Sequence, residues 1–228
     1  MATRTVMIGT PAGDGKLTVD YVAALLKSRT LLERQDIALD PFFVVNDSLV
    51  MQARNTVVAA FLASAATDLV FIDSDIGWRP EDLGRLLSHD VPLVAATYRR
   101  KADEVSFTIQ FEDGTARRDR ASGLLSVRRV GAGFLRLRRD CLERMVAAYP
   151  QLRFQPPPVS GDPNPRAALF DTSLSADEFV GEDYTFCDRW RAIGGVVWVD
   201  PEIRLRHVGG GGYSGVLWDI LAPGQTPP

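Results

Sequence analysis

The sequence predicts one α/β domain whose first half holds a mainly parallel sheet. Short apolar strands alternate with helix-length segments through residues 1–101, and strands joined by helices pair in parallel through right-handed crossovers. Residues 102–215 instead contain short strands with turns between them, which is typical of antiparallel pairing. We therefore expect a single domain over residues 1–215, with its halves at 1–101 and 102–215, and a C-terminal tail at 216–228.

Four strands and three helices alternate in the predicted first half. The strands lie at residues 6–9, 41–46, 70–72 and 91–98. Residues that recur at helical spacing predict the buried face of the first helix, namely Tyr21, Val22, Leu25, Leu26 and Leu32. A second helix is predicted from Leu49 to Ala66, and a third begins at Pro80 with two acidic residues in its first turn. Because ligands bind at the carboxyl ends of parallel strands, the residues that follow these strands are the first candidates for a site.

The second half is predicted to be mixed. Short antiparallel strands are expected within residues 105–138, then a helix whose start is capped by Asp140 and Glu143. A further helix begins near Gly181 and stops at Gly194 and Gly195, and the strands VVWVDP and EIRLRH follow it. Two segments are candidate lids: the proline-rich stretch 151–178, which is long for a loop in a compact domain, and the glycine-rich stretch 209–215.

Composition excludes some classes of protein. A net charge of -3 and a pI near 5.5 argue against a broad basic face for nucleic acid or anionic membrane. Cys141 and Cys187 have no framework spacing, so both are predicted to be reduced and to fill the core. No apolar run is long enough to span a membrane, and the first residues are too short and strand-like for a signal peptide, so we expect a cytoplasmic protein.

Two carboxylates follow the strand at 70–72. Asp73 and Asp75 are one residue apart, and residues i and i+2 of a strand share a face, so the two charges repel unless a cation lies between them. Mg²⁺ and Mn²⁺ prefer oxygen ligands and bind through few carboxylates together with substrate phosphates. The simpler interpretation is that both carboxylates are solvated and cap the turn at Gly77.

Two further segments carry residues of the same chemistry. Glu182 and Asp183 lie at a predicted helix start, where a carboxylate also interacts favourably with the helix dipole. His207 ends a predicted strand and precedes four glycines. Each feature alone is weak, since a single histidine is more often an incidental surface residue than a ligand. The three features together favour a shared site.

These segments resemble glycosyltransferases of the GT-A type, and more closely a group of small stand-alone ones found in bacteria and their phages. The resemblance rests on IGTPAGDG (8–15), DSLVMQARNTVVAAFL (47–62), VFIDSDIGWRPEDLGRLL (70–87), VAATYRRK (94–101), VGAGFLRLRR (130–139) and GEDYTFCDRWRAIGGVVWVDPEIRLRHVG (181–209). It implies a Rossmann-like nucleotide-binding half joined to a mixed acceptor-binding half. The chain departs from the family in TYRRK, where a glycine and a proline are expected around the tyrosine. It also has CDRW in place of the fuller glutamine-containing motif of processive synthases, so a non-processive enzyme is expected.

The resemblance implies a metal ion and a base. A sugar nucleotide would lie across the first half, with its diphosphate bridged by Mn²⁺ or Mg²⁺. Asp75 matches the best metal ligand, Asp73 a metal ligand or ribose contact, and His207 a further metal ligand. Asp183 matches the general base of inverting members, which deprotonates the acceptor hydroxyl, and Glu182 is the reserve candidate. Whether the reaction inverts or retains configuration stays open.

The resemblance also implies contacts to the donor nucleotide. Thr10, Pro11 and Ala12 match the first loop under the nucleoside base, and Ser74 belongs to the same donor site. Arg54 matches a nucleotide or diphosphate contact, although its aliphatic stem could equally lie along its own helix. The acceptor is a glycan, a lipid-linked sugar or a modified nucleobase, and the sequence does not choose among these.

Several residues have a structural alternative to a functional role. Trp190 lies four residues after Phe186, which favours a core stripe over an acceptor platform, and Trp78 either covers the sugar or packs. The basic residues from Arg99 to Lys101 either face solvent or contact a diphosphate or an anionic acceptor.

Two other functions fit part of the pattern. Phosphohydrolases of the haloacid dehalogenase type also end a strand in D-x-D and would release phosphate without an acceptor. A non-catalytic sugar-nucleotide-binding protein is the third interpretation.

Overall fold

The computed structural model describes residues 4–156, 165–175, 178–209 and 212–221. Its α-helices are α1 (Val19–Glu33), α2 (Val50–Ala63), α3 (Pro80–Ser88), α4 (Arg139–Ala148) and α5 (Glu182–Ala192). Its strands are β1 (Arg4–Ala12), β2 (Ile37–Val45), β3 (Asp68–Ile72), β4 (Ile76–Gly77), β5 (Leu93–Ala95), β6 (Ile109–Gln110), β7 (Arg117–Arg118), β8 (Leu125–Val127), β9 (Arg129–Val130), β10 (Phe134–Arg138), β11 (Arg153–Phe154), β12 (Arg166–Ala167), β13 (Ser173–Ser175), β14 (Glu178–Val180), β15 (Val197–Val199), β16 (Leu205–Val208) and β17 (Gly212–Gly215).

One eight-stranded sheet, in the order β2-β1-β3-β10-β5-β15-β8-β7, runs through the described chain. The β1 strand pairs in parallel with β2 and β3, and β5 pairs in parallel with β15. Only β10 and β8 run against the other strands of this sheet. The predicted α/β class, with a mainly parallel first half and short antiparallel strands in the second, is therefore confirmed.

The centre of this sheet differs from simple alternation. The β10 strand, from the second half of the chain, lies between β3 and β5 and is antiparallel to both, with Leu135 opposite Phe71 on one side and Ala95 on the other. Phe134, Leu135 and Leu137 are fully buried, which suits a strand covered on both faces. The two halves of the chain thus share one sheet.

The buried face of α1 is only partly the predicted one. Tyr21 and Leu32 are buried as expected, but Val22 and Leu26 are 39% and 61% exposed. The helix instead buries the small residues Ala24 and Ser28. These permit close approach of Trp78, whose indole Nε1 donates to Ser28 Oγ at 2.9 Å. Trp78 is therefore a core residue, and the same holds for Trp190, whose Nε1 donates to the Val196 carbonyl.

The ends of two helices also test the sequence. The capping pair predicted at Asp140 does not form: α4 begins at Arg139 and has no side-chain cap. The Arg139 guanidinium instead donates to carbonyls at the end of α2, including that of Ser64 at 2.8 Å. The predicted stop of α5 is confirmed, since Gly194 adopts a φ of +82°, which favours glycine.

The two predicted lids are partly described. Within 151–178, the structure places a short 3₁₀-helix and the strands β11, β12 and β13, while residues 157–164 and 176–177 lie outside the described residues. Within 209–215, β17 forms the edge of a three-stranded sheet with β16 and β4, and residues 210–211 are outside the description.

Two remaining sequence predictions concern the core and membranes. Cys141 and Cys187 are free and buried, as predicted. Within the described part of the chain, we find no helix with the length and apolarity that crossing a bilayer requires.

Candidate active site

The candidate site begins where β3 ends. The strand stops at Ile72, and the residues Asp73, Ser74 and Asp75 form a turn that leads into β4, closed by a hydrogen bond from the Ile76 amide to the Asp73 carbonyl at 3.0 Å. The two carboxylates therefore do not share a strand face, which corrects the premise drawn from the sequence. Each carboxylate meets a different cation.

Asp73 is held by Arg54 of α2. Arg54 Nη2 donates to Asp73 Oδ1 at 2.9 Å, and Arg54 Nε lies 3.5 Å from Glu182 Oε1 at the start of α5. The Arg54 side chain is 4% exposed. Burial lowers the pKa of Arg54, but the neighbouring Asp73 and Glu182 carboxylates outweigh it, so the pKa is raised and the charge is retained. Arg54 thus joins the two acidic motifs.

Arg54 also has one nitrogen whose hydrogen-bonding capacity the described residues do not use. Its Nη1 is buried and has no hydrogen-bond partner among the described residues. An unsatisfied buried donor of this kind carries a free-energy penalty of about 1–3 kcal/mol unless a ligand or water accepts from it. The orphaned donor is next to carboxylates of both halves, which marks this point as a place for an oxygen-rich ligand.

Asp183 lies in the first turn of α5 and has the chemistry of a proton acceptor near neutral pH. Burial and the neighbouring Glu182 carboxylate raise the pKa of Asp183 to about 6, although Arg54 and a hydrogen bond from the Tyr184 amide to Asp183 Oδ1 lower it. General bases work best when their pKa lies near the working pH.

Asp75 is contacted by two groups from elsewhere in the chain. Lys101 Nζ lies 2.5 Å from Asp75 Oδ2, and His207 Nε2 lies 3.4 Å from the same oxygen. Burial raises the pKa of Asp75, but the contacts with His207 and Lys101 outweigh it and lower the pKa below its ordinary value. The antiparallel pairing of β16 with β4 fixes this arrangement, because Val208 N donates to the Asp75 carbonyl at 2.8 Å.

The orientation of the His207 ring is informative. His207 Nδ1 lies 3.0 Å from the Arg99 carbonyl, and a carbonyl only accepts, so Nδ1 carries a proton. With Nδ1 protonated, Nε2 faces the Asp75 carboxylate either as a second N–H, which donates to it, or as a lone pair, which needs a cation between the two acceptors. A histidine whose Nδ1 donates to a backbone carbonyl is the usual arrangement of a metal ligand.

The residues fit a divalent ion with two protein ligands. Asp75 and His207 supply one carboxylate and one imidazole, and Mg²⁺ and Mn²⁺ sites commonly complete their coordination with substrate phosphates and water. Across the described residues, no three His, Cys, Asp or Glu side chains are grouped around one point. Asp73 is engaged by Arg54. Its assignment as a direct metal ligand stays a prediction.

The residues predicted under the nucleoside base occupy a strand rather than a loop. Thr10, Pro11 and Ala12 continue β1 and pair with β2 as far as Val45. Thr10 is buried, and its hydroxyl lies 2.6 Å from the Tyr21 hydroxyl, so that side chain serves the core. Pro11 is partly exposed and Ala12 is buried.

Ser74 lies in the turn between the two carboxylates and is partly exposed. Its carbonyl accepts a hydrogen bond from the Thr18 amide at 3.0 Å. The turn that carries both carboxylates is therefore fixed to the start of α1.

Sequence reasoning assigned no role to two residues that shape the site. The carbonyl of Gly133 accepts from the Asp73 amide at 3.1 Å, and a Cβ at this position would lie 2.6 Å from Asp73 Oδ2 and from a ring carbon of Tyr98. Tyr98 is buried and packs edge-on against His207, with ring centroids 4.9 Å apart. The glycine in VGAGFLR was the available signal for this close approach.

No protein-family model matches the sequence, and a search of curated proteins finds no match. Among solved structures, A197 from STIV is similar to this chain at a TM-score of 0.54 with 14% identity, over 91% of this chain and 86% of that one. GalNAc-T7 with UDP, GalNAc and Mn²⁺ is similar at 0.46 with 11% identity, over 90% and 44%. The inositol-1-phosphate CTP transferase from T. maritima is similar at 0.46 with 10% identity, over 91% and 90%.

The match with A197 shows the fold of this chain and, at its level of identity, nothing finer. The predicted α/β fold class is confirmed, and glycosyltransferases are among the solved structures to which this chain is similar.

Proposed function

We propose that this chain is a metal-dependent, non-processive glycosyltransferase that moves a sugar from a nucleoside-diphosphate sugar to an acceptor hydroxyl. The observation that supports this most is the convergence of two distant pairs beside one strand end. Asp75 and His207 come within 3.4 Å of each other, and Arg54 connects Asp73 with Glu182. Both pairs lie past the carboxyl end of a parallel strand, where α/β proteins bind ligands.

The charge of the site supports the need for a metal ion. The acidic side chains outnumber the arginine and lysine side chains that contact them, the four acids being Asp73, Asp75, Glu182 and Asp183 and the two bases Arg54 and Lys101. A free diphosphate is repelled by such a site, whereas a divalent cation is attracted. We therefore expect the nucleotide to bind together with Mn²⁺ or Mg²⁺.

In this proposal Asp75 and His207 hold the ion, and the imidazole favours Mn²⁺. The bound ion supplies Lewis-acid stabilisation of the charge that develops on the departing diphosphate. Asp73 is fixed by Arg54 and Gly133, which suits a carboxylate that contacts the ribose or supports the ion from outside its first ligands.

Asp183 is the proposed general base. Its carboxylate accepts the proton of the acceptor hydroxyl as that oxygen bonds to the sugar, and a positioned base contributes about 10²- to 10⁴-fold to the rate. Glu182 is less suited, because its carboxylate faces Arg54. A base in this position implies inversion at the sugar carbon.

The donor nucleotide is proposed to lie along the ends of β1 and β3, against Pro11, Ala12 and Ser74. The acceptor is a glycan, a lipid-linked sugar or a modified nucleobase. A thermal-shift panel of sugar nucleotides, each with and without Mn²⁺, identifies the donor, since a ligand at 100 times its Kd adds about 2.7 kcal/mol to stability.

The metal assignment is tested with Asp75→Asn. We expect calorimetry with Mn²⁺ and the nucleoside diphosphate found by the panel to show binding to the wild type and none to this variant. Asp40→Asn is the control, because Asp40 is exposed on β2. Loss of the exposed Lys101 contact costs about 0–1 kcal/mol, so the variant stays folded. Equal nucleotide affinity of Asp75→Asn and wild type would show that Asp75 holds no metal.

The class of reaction is tested on the same samples. A phosphohydrolase releases phosphate from a phosphomonoester without an acceptor, and a non-catalytic protein binds the sugar nucleotide but leaves it intact. Either result would refute the proposed transfer of a sugar to an acceptor.

A further inference from the structure

Lys101 occupies the position next to Asp75 where the proposed ion would act. Its Nζ lies 2.5 Å from Asp75 Oδ2, the same oxygen that faces His207. In the structure the charge of this carboxylate is therefore balanced by an ammonium group. A metal ion that binds Asp75 and His207 has to take this oxygen from the lysine.

The contact is built into the fold. The aliphatic stem of Lys101 passes over Gly209, where a Cβ would lie 3.0 Å from Lys101 Cδ and 3.3 Å from Cε. The backbone that precedes Lys101 is fixed as well, because the Arg99 carbonyl accepts a hydrogen bond from His207 Nδ1. The absence of a side chain at position 209 thus makes room for the lysine beside the metal pair.

Once displaced, the ammonium remains next to the place where phosphate oxygens would complete the coordination of the ion. Its side chain is 36% exposed, and its four-carbon stem allows the ammonium to reorient while the backbone stays in place. Lysine is a common phosphate ligand because its ammonium acts as a compact point charge.

We propose that Lys101 is a resident cation that neutralises Asp75 before the metal ion binds and then moves to the diphosphate. This inference rests on the proposed function. It gives the lysine two opposite effects: it competes with the metal ion alone, and it helps the nucleotide once the ion is bound. A side chain with only a structural role would not change the two affinities in opposite directions.

Lys101→Met tests both effects. We expect the Mn²⁺ affinity without nucleotide to rise about threefold to fivefold, which corresponds to the free energy of a partly exposed ion pair. Electron paramagnetic resonance of the free ion measures this affinity. The affinity for the nucleoside diphosphate at saturating Mn²⁺, measured by calorimetry, is expected to fall at least about tenfold, the value of a charge-assisted hydrogen bond. Lys27→Met is the matched control, because Lys27 is exposed on α1.

A second measurement uses the unmutated chain. The sequence has three lysines, Lys16, Lys27 and Lys101, so ¹³C-dimethylation gives few NMR signals to assign. The Lys101 signal is expected to move when Mg²⁺ is added and to move again with nucleoside diphosphate, while the other two stay in place.

The outcomes separate this inference from the proposed function. If Lys101→Met leaves the Mn²⁺ affinity unchanged while the wild type binds nucleotide in a Mn²⁺-dependent way, the proposed function stands and the role of Lys101 is refuted. The role of Lys101 is also refuted if its NMR signal does not move on addition of Mg²⁺ or of nucleoside diphosphate. Absence of any Mn²⁺-dependent nucleotide binding by the wild type refutes the proposed function itself.

Discussion

Replacing Asp183 by asparagine is expected to stabilise the protein while it abolishes transfer. The carboxyl group is mostly buried at the start of α5, next to Glu182, and its pKa is raised to about 6 by burial and by that neighbour. Folding therefore favours the protonated form of Asp183 relative to the unfolded chain. Asparagine has nearly the same shape and carries no charge, so it resembles the protonated carboxyl group at every pH.

The size of this effect follows from the pKa. An aspartate of the unfolded chain has a pKa of about 3.9, and each unit by which folding raises the pKa corresponds to about 1.4 kcal/mol. Because the pKa of the folded state is the higher one, the wild type loses stability as the pH rises from about 4 through about 6. The loss is about 3 kcal/mol above pH 7 and about half of that at pH 5.

The assay is thermal unfolding at pH 5 and at pH 8. For a chain of this length, 1 kcal/mol corresponds to about 2–4 °C in Tm. Asp183→Asn is therefore expected to exceed the wild type by about 6–12 °C at pH 8 and by about half as much at pH 5. Asp40→Asn, at an exposed position of β2, is the control and is expected to follow the wild type at both pH values.

The same substitution separates binding from chemistry. Donor affinity is expected to persist in Asp183→Asn, and the transfer rate of the wild type is expected to fall below pH 6, where a protonated Asp183 no longer accepts a proton. If Asp183→Asn and the wild type have equal Tm values at pH 8, the carboxyl is not held in an unfavourable charged state and the reasoning is wrong. Full transfer activity in the variant would remove Asp183 as the base.

Two further substitutions test how the site is held. Arg54→Met leaves two carboxylates without their buried partner and is expected to destabilise the fold by about 3 kcal/mol in urea unfolding. The control Arg29→Met, on the surface of α1, is expected to change stability by less than about 1 kcal/mol. Similar losses in the two variants would show that Arg54 does not hold the site together. Gly133→Ala places a methyl group 2.6 Å from Asp73 Oδ2 and is expected to lower the stability of the fold by about 1–3 kcal/mol in thermal unfolding. The control Gly84→Ala in α3, where the nearest atom would lie at 3.7 Å, is expected to raise the stability by up to about 1 kcal/mol. Unchanged stability of Gly133→Ala would refute the close approach of Gly133 to Asp73.

Asp75 was predictable as a site residue because it follows the buried strand β3. Its contact with His207 depends on the antiparallel pairing of β4 with β16, the strand that contains His207, and no local pattern encodes that pairing. Strand ends are visible in a sequence as the point where an apolar run stops, and residues that follow parallel strands collect at one edge of a sheet. The acidic start of α5 was visible as well, since Gly181 precedes the helix and Glu182 and Asp183 lie in its first turn.

Other features depend on contacts that no local pattern encodes. The apolar residues of α1 occupy most sides of the helix, so the buried face was decided by Trp78, which packs on Ser28. The position of β10 between β3 and β5 required knowledge of which distant strands pair. In the run from Arg99 to Lys101, three adjacent positive charges gave no basis for choosing the one that reaches Asp75.

The end of β3 tolerates two neighbouring carboxylates because each has its own cation. Arg54 comes from α2 and serves Asp73, while Lys101 comes from the segment after β5 and serves Asp75. The charges of Asp73 and Asp75 are thus each balanced by a cation of the chain, whereas Glu182 and Asp183 have no further arginine or lysine of their own among the contacts described above. In the role proposed for Lys101, a metal ion at Asp75 exchanges one cation for another and releases a positive charge beside the diphosphate. That proposal couples the affinity for metal to the affinity for nucleotide through one lysine side chain, so that neither is a property of the carboxylates alone.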